Sequence, residues 1–292
     1  MKILNIGLFE SEKVSADFYC NTFKDHLLHH HQSISVPHKH DFFLTVLFTK
    51  GSGVHEIDFD SYTILPGSVF FLYPGQTHHW ELSEDIDGYI FFHTREFFEM
   101  GFTDHSIRNF PFFYSVHNQP AIMLKAESVK HILPFFESVY GEYIHKGFFS
   151  RQKISSLLNL IYIELSRVYL GESKALTFNS AVYSLQVNRL EQLIETYYRS
   201  QKSPAAYADM MNITPKHLNR LTRETLGKTT TQLITERILL EAKRMLVYVG
   251  DPLSTIAEAL GYDDYAYFSR VFKKWTGLSP SQFAAKYKSL KT

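Results

Sequence analysis

The stretch from Asp251 to Trp275 leaves this chain the fewest ways to fold. It reads as a short helix, a glycine turn and a second helix. Pro252 suits a first helical turn, where its missing N–H has no partner to lose. Ile256, Ala257 and Leu260 form one apolar stripe, and Gly261 stops the helix where a left-handed residue is needed. Asp263 or Asp264 can cap the second helix. Its inner face is Phe268, Val271, Phe272 and Trp275, and its outer face carries Tyr267, Arg270, Lys273 and Lys274. A DNA-reading helix-turn-helix needs two short helices, a tight turn and a basic outer face on the second helix. A plain helical hairpin with solvated lysines would show the same pattern, so the remaining sequence has to decide.

Charge is divided along the chain. A length of 292 residues suggests about two domains. Lys+Arg and Asp+Glu both total 30, which hides a split. Met1–Ala181 carries 14 basic against 20 acidic residues, and Val182–Thr292 carries 16 against 10, so the halves hold −6 and +6. An acidic module joined to a basic one is implied. All of the histidines except His217 fall in the acidic part. Cys20 is the single cysteine, which excludes an internal disulfide and a cysteine-cluster zinc site and suits a reducing compartment. No uninterrupted apolar run reaches the roughly 18 residues of a membrane span. The N-terminus lacks a basic region followed by an apolar core and cleavage site. The expectation is a cytoplasmic protein without a membrane partner.

From Ile34 to His93 short β-type runs recur between turn residues. They are 42–48, His55–Asp60 with polar and apolar residues alternating, 69–73, 78–82 and 89–93. Several short strands at this spacing predict an antiparallel sandwich or barrel. Phenylalanine pairs at 42–43, 70–71, 91–92, 97–98 and 112–113 put one ring of each pair inside, if all lie in strands. His29-His30-His31, read as extended, would point to alternating faces and make no single metal site.

His38-Lys39-His40, Gly51, Pro66-Gly67 and Pro74-Gly75-Gln76-Thr77-His78 resemble the two signature motifs of the cupin barrel. In metal-binding cupins two histidines and a glutamate of the first motif join a histidine of the second around a metal, a donor set that suits Fe, Mn, Ni or Zn. Here Phe42, Phe43, Leu44 and Thr45 stand where the glutamate is expected, and Asp41 points to the opposite face from His40. The expectation is therefore no metal and no cofactor. An aromatic pocket for a small ligand remains, with His38, His40, His78 and His93 as candidate polar groups. The same histidines could instead be buried with partners in a plain core.

After Ala126 the period lengthens. Val129, Ile132, Leu133, Phe136, Val139, Tyr140 and Tyr143 form one helical stripe, with Pro134 a kink or late start. Ile154, Leu157, Leu158, Ile161, Leu165, Val168 and Tyr169 form a second. The two seams could pack on the barrel or on each other, or join two subunits into a homodimer. Gly171-Glu172-Ser173-Lys174-Ala175 loses the period and reads as an interdomain linker.

The opening pattern also occurs earlier in the basic part. Ser203 to Met211 reads as a capped first helix and Asn212-Ile213 as the turn. Thr214-Pro215 opens a helix that ends at Gly227. Lys216, Asn219, Arg220 and Arg223 lie on its outer face, and Leu218, Leu221 and Leu226 on its inner face. A long helical pattern from Thr231 to Val249 separates the two units and can fix their spacing. Over roughly residues 190–287 the chain resembles the AraC/XylS family of bacterial transcription regulators. The matching residues are Ala208, Leu218-x-Arg220, Gly227, Arg237, Ala242, Leu246, Ile256-Ala257, Gly261-Tyr262, Tyr267-Phe268-Ser269-Arg270-x-Phe272-Lys273 and Gly277-x-Ser279-Pro280.

The resemblance implies an α+β chain of two domains. A cupin-like β-barrel (1–125) with a helical dimerisation segment (126–171) and a linker (172–184) precedes an all-α domain (185–292) of two helix-turn-helix units joined by a long helix. It implies a sequence-specific regulator, not an enzyme. Its expected partners are double-stranded DNA, a second copy of itself, a small effector and RNA polymerase. Two helices about one DNA turn apart can enter successive major-groove segments. Candidate base contacts are Lys216, Asn219, Arg220, Ala266, Tyr267 and Arg270, since arginine pairs with guanine and asparagine with adenine. Candidate phosphate contacts are Arg223, Lys228, Thr229, Lys273 and Lys274, which fix register without reading sequence. Ala266 offers only methyl contact, Tyr267 is bulky, and Arg223 could instead pair with Glu224. Two other readings stay open: a cupin-type metalloenzyme with a helical appendage, and a regulator whose barrel serves only dimerisation.

Overall fold

Period-two burial runs through the first part of the chain, and it builds two sheets. The computed structural model describes residues 3–9, 17–34, 36–100, 106–113, 119–171, 178–249 and 251–289. The chain separates into two units, Met1–Ala175 and Leu176–Thr292. The first holds β1 (Ile3–Leu4), β2 (Phe18–Thr22), α1 (Phe23–Ile34), β3 (His38–His40), β4 (Phe43–Lys50), β5 (Gly53–Ile57) and β6 (Asp60–Ile64). It continues with β7 (Ser68–Leu72), β8 (Thr77–Leu82), β9 (Asp87–His93), α2 (Arg95–Glu99), β10 (Ala121–Met123), α3 (Ala126–His145) and α4 (Ser150–Leu170). One sheet has the order β1-β3-β8-β5-β6 and the other β10-β7-β4-β9-β2. All pairs are antiparallel except β1 with β3.

The second sheet is buried on both faces. Leu44, Val46, Phe48, Phe70, Leu72, Ile90 and Phe92 point into a core shared with the first sheet, among Ile57, Ile64 and Trp80. Their neighbours Phe43, Leu47, Val69, Phe71 and Phe91 point the other way, into a core closed by Ile132, Phe136 and Val139 of α3 and Ile154, Leu158, Ile161 and Leu165 of α4. Both rings of the pairs 42–43, 70–71 and 91–92 are therefore buried, which corrects the expectation that only one of each would be. Helices cover the face that would otherwise be wet, and each ring so buried contributes roughly 1.5–3 kcal/mol. Phe97-Phe98 lies in α2, and Phe112-Phe113 lies in a 3-10 turn (Pro111–Phe113), not in strands. The two helical seams are spent inside this unit, on the sheet and on each other.

Three local features differ from the expectation. His55–Asp60 is a hairpin rather than one strand. β5 ends at Ile57, Asp58 takes a left-handed φ of 56°, and its backbone N–H and carboxylate both bond to Thr77. The triple histidine belongs to helix α1, where His29 Nδ1 bonds Asp25 O; the side chains of His30 and His31 lie outside the described residues. Pro134 is inside α3, which starts eight residues earlier at Ala126.

The second unit is all helical: α5 (Phe178–Tyr197), α6 (Pro204–Met210), α7 (Pro215–Leu226), α8 (Thr230–Arg244), α9 (Leu253–Ala259), α10 (Tyr265–Thr276) and α11 (Pro280–Ser289). Helix α5 starts within the stretch expected to be linker. The long helix expected over 231–249 is α8 followed by a π-helical turn, Met245–Val249. Arg237 fastens α8 to α5: it donates to both oxygens of Glu195 and, at 3.3 Å, to Glu241, and lies 4.1 Å over the Tyr198 ring. Burial alone would lower its pKa, but the Glu195 carboxylate outweighs that and holds it charged.

Candidate nucleic-acid interface and buried histidine cluster

Each helix-turn-helix is built by the same local devices. Asn212 (φ 55°) and Gly261 (φ 72°) supply the left-handed residue in the two turns. Thr214 Oγ1 accepts from His217 N at 3.2 Å to cap α7, and Asp264 Oδ1 accepts from Ala266 N at 2.7 Å to cap α10. Such caps contribute typically about 1 kcal/mol. Gly227 and Gly277 end the two helices in left-handed conformations. Each is followed by a capping box, Thr229 with Gln232 and Ser279 with Gln282. From cap to capping box the two copies are offset by 50 positions, 214 to 264 and 232 to 282. Pro252 is the cap of α9 rather than its first residue.

Leu218, Leu221, Phe268 and Phe272 are fully buried, which turns the basic faces outward. Lys216, Arg220 and Arg223 are exposed beside a groove of about 560 Å³ that Thr214, His217, Asn219 and Glu224 also line. Arg223 makes no ion pair among the described residues, so the pairing with Glu224 is not formed. On α10, Ala266, Tyr267, Arg270, Lys273 and Lys274 are all exposed, and Arg270 sits 6.0 Å from the Tyr267 ring. His217 occupies the position in α7 that Tyr267 holds in α10. The fifty-residue offset is the signal that identifies it.

Three expected contacts are altered by neighbours. Asn219 Oδ1 accepts from Thr230 N at 3.3 Å, so the acceptor half of a bidentate adenine contact is already engaged. Lys228 Nζ pairs with Glu236 at 2.8 Å, which offsets its charge toward phosphate. Thr229 spends its hydroxyl lone pair on the cap of α8. Trp275 is not core: it is 39% exposed, in the last turn of α10.

Between the two sheets of the first unit lies a cluster of four histidines. Of the candidate histidines, His38, His40 and His78 lie together, joined by His55 from β5. His38–His78 and His40–His78 ring centres are 4.4 and 5.1 Å apart, and His55 Nε2 meets His78 Nδ1 at 3.0 Å. His38 and His40 donate Nδ1–H to the carbonyls of Val36 and Phe42, at 2.9 and 2.7 Å. His40 Nε2, His55 Nδ1 and His78 Nε2 are buried without a hydrogen-bond partner. Each such atom costs about 1–3 kcal/mol. Burial lowers the pKa of His40 to about 3 and holds His55 and His78 well below the imidazole range, so all three are neutral at pH 7.

The cluster does not fit a metal centre. His55 and His78 turn nitrogens toward each other, Asp41 is exposed, and among the described residues no group of three or more His, Cys, Asp or Glu is arranged around a common point. His93 does not join the cluster. It is on the opposite face of its strand, donating Nδ1–H to Thr94 O (2.9 Å) and accepting from the Tyr162 hydroxyl at Nε2 (2.7 Å). Tyr162 in turn meets Thr45 Oγ1 at 3.2 Å, and burial lowers the His93 pKa to about 4.

Comparison with known proteins matches both units. A family model described as an AraC-like ligand binding domain matches residues 26–158, and one described as a helix-turn-helix domain matches residues 207–286. The arabinose operon regulatory protein of Escherichia coli (strain K12) is 26% identical over 247 residues, covering 82% of this chain and 79% of that protein. The HTH-type transcriptional activator RhaR of Yersinia pestis bv. Antiqua (strain Angola) is 23% identical over 257 residues, covering 88% and 87%. Among solved structures, the C-terminal domain of AraT, a response regulator from Geobacillus stearothermophilus, is 33% identical with a TM-score of 0.33. That match covers 34% of this chain and 84% of that one.

Proposed function

This chain belongs to the AraC family of transcription regulators, and from that premise we propose that α7 and α10 enter successive major-groove segments of one operator while the first unit answers to a small effector. The observation that carries the reading is the repeated helix-turn-helix with two exposed basic faces, Lys216–Arg220–Arg223 and Arg270–Lys273–Lys274, on buried apolar supports. Arg220 and Arg270 are the base-reading residues, and Arg223, Lys273 and Lys274 hold phosphate. Selection of bound sequences from a random duplex pool tests this. No salt-dependent affinity for any duplex would sink it.

Two substitutions separate the roles. Arg220→Ala is expected to cost about 1–3 kcal/mol and to relax preference at one base position, read from selected sequences. Lys273→Ala is expected to weaken all duplexes alike and to lower the slope of log affinity against log salt by about one. A sequence-selective loss in the second variant would reverse the assignment.

The effector site is the interior of the two-sheet sandwich, at His38, His40, His55 and His78. Three buried imidazole nitrogens without partners support it, since a ligand with hydrogen-bonding groups would satisfy them. His93, held by Tyr162 on the far face, is left out. Calorimetry with candidate metabolites separates this from a first unit that serves only assembly. Homodimerisation by the α3–α4 pair would use outward residues such as Ile144 and Leu160, because the seams are occupied; sedimentation tests it. The regulator, which performs no catalysis, works in the cytoplasm with RNA polymerase as a further partner. The buried, unpaired Cys20 thiol is consistent with that compartment.

A further inference from the structure

We infer that Lys202 sets the spacing between the two DNA-reading helices, by bridging the segment that leads into the first helix-turn-helix to the turn of the second. The covalent route between α7 and α10 runs through α8, the π-helical turn Met245–Val249 and α9. A π-turn widens the helix by one residue and is a place where a rod can bend. Helix α11 packs back on α8 and on this turn, with Lys243 Nζ 5.8 Å from the Phe283 ring, so this route carries a brace beside the π-turn, supplied by α11 and not by α5.

A second route closes the frame. Lys202 lies between α5 and α6, just ahead of the first helix-turn-helix. Its Nζ donates to Gly261 O at 2.6 Å, in the turn before α10, and to Arg199 O at 3.0 Å, just past α5. The same ammonium sits 4.8 Å from the centre of the Tyr262 ring. Two backbone segments meet here closely enough that residue 261 has no room for a side chain: a Cβ on Gly261 would lie 1.9 Å from Arg199 O and 2.7 Å from Lys202 Nζ. Gly261 is thus required twice, for its φ of +72° and for this approach. The two carbonyls would otherwise face each other with like partial charge, and the ammonium between them turns that repulsion into attraction.

The consequence is selectivity for the gap between half-sites. One inserted base pair moves the second half-site by about 3.4 Å and turns it by about 35°. A closed frame cannot follow that change, whereas a frame hinged at the π-turn can follow part of it. Lys202 touches neither basic face and acts through position alone.

This inference rests on the reading that both helix pairs contact DNA, and the test keeps the two apart. The full chain first selects duplexes from a random pool. Lys202→Met, Lys202→Arg and the unaltered protein are then titrated with the selected duplex and with versions carrying one base pair more or fewer between the half-sites. Lys202→Met is expected to reduce the penalty for the altered gap by about tenfold, within the usual range of a coupling between two sites. Lys202→Arg, which keeps the charge and the donors, is expected to restore most of it. If Lys202→Met weakens every duplex by one factor and leaves the ratio between gaps unchanged, the lysine is only a charge or a packing element and the inference is lost. It is also lost if the unaltered protein tolerates every gap. If the unaltered protein binds no duplex, the DNA-binding reading itself has failed.

Discussion

Lowering the pH from 7.5 to 5 is expected to destabilise the first unit by several kcal/mol while leaving the second nearly unchanged. The sign follows from neutral burial. His40 and His93 titrate near 3 and near 4 in the folded chain because burial disfavours their charged forms, whereas an unfolded imidazole titrates near 6.5. Between those values the unfolded chain binds more protons, so stability is fully present above pH 6.5 and drains away as pH falls. At pH 5 each of these two groups costs about 2 kcal/mol. His55 and His78 shift in the same direction. The second unit has only His217. Its Glu195 carboxylate, which burial would raise but Arg237 holds low, matters only at more acid pH. Trp80 and Trp275 are the two tryptophans, one in each unit, and Trp80 packs on His55 and His78. Thermal melts of a Trp275→Phe variant followed by fluorescence therefore report the first unit. A midpoint that stays constant from pH 7.5 to 5 would mean these imidazoles are not buried as described.

Of the strands that hold this cluster, β8 is legible as a short β-type run between turn residues and β5 as part of a longer one, whereas the three-residue β3 is too short to show a pattern. What lay outside the sequence signal was the environment of each face. Period two tells that Phe42 and Phe43 point apart, but not that α3 and α4 dry the second face. The same limit hid the fate of His93: its alternation with Phe92 places it opposite the sandwich core, yet only the helix layer gives it Tyr162 as a partner. His55 carries no separate site signal, because the alternation from His55 to Asp60 predicts one six-residue strand. The turn at Asp58 carries neither glycine nor proline, and the alternation runs across it unbroken.

On the DNA side, the caps, turns and apolar supports of both units could be read directly, since each is a contact within four or five residues. The outer faces were readable as faces but not as free groups. Asn219 is drawn to Thr230 and Lys228 to Glu236, partners eight to eleven residues away that only the packing of α7 against α8 brings near. Trp275 shows the complementary error. Its helical phase matches Phe268 and Phe272, but phase alone does not set how deeply a last-turn residue is buried. The bridge at Lys202 joins residues 59 positions apart and has no local pattern.

Tyr162→Ala is expected to destabilise the first unit by about 3–5 kcal/mol, the range for deleting a large buried ring. Tyr162 is among the largest fully buried side chains, on α4, with Phe91, Phe98, Phe110, Phe112 and Phe113 around it. Its hydroxyl ties α4 to the sheet through His93 and Thr45, alongside the Arg151–Asp17 pair and the Tyr169–Gln119 bond nearer the ends of the helix. Because His93 Nδ1–H is spent on Thr94 O, Nε2 accepts, the tyrosine donates to it, and Thr45 donates to the tyrosine. Tyr162→Phe keeps the ring and removes only that bond, leaving a buried imidazole nitrogen and a hydroxyl without a partner, at about 1–3 kcal/mol. Replacing His93 as well should then cost less than the sum of the two single changes, since the same bond cannot be lost twice. Denaturant unfolding of Tyr162→Phe, a His93→Phe variant and the double variant gives the coupling directly. Strict additivity would show that the Tyr162–His93 bond contributes nothing to holding α4 on the sheet. A coupling of about 1 kcal/mol or more, the strength of one buried hydrogen bond, would establish Tyr162 as a polar tie between the sheet and the helix pair.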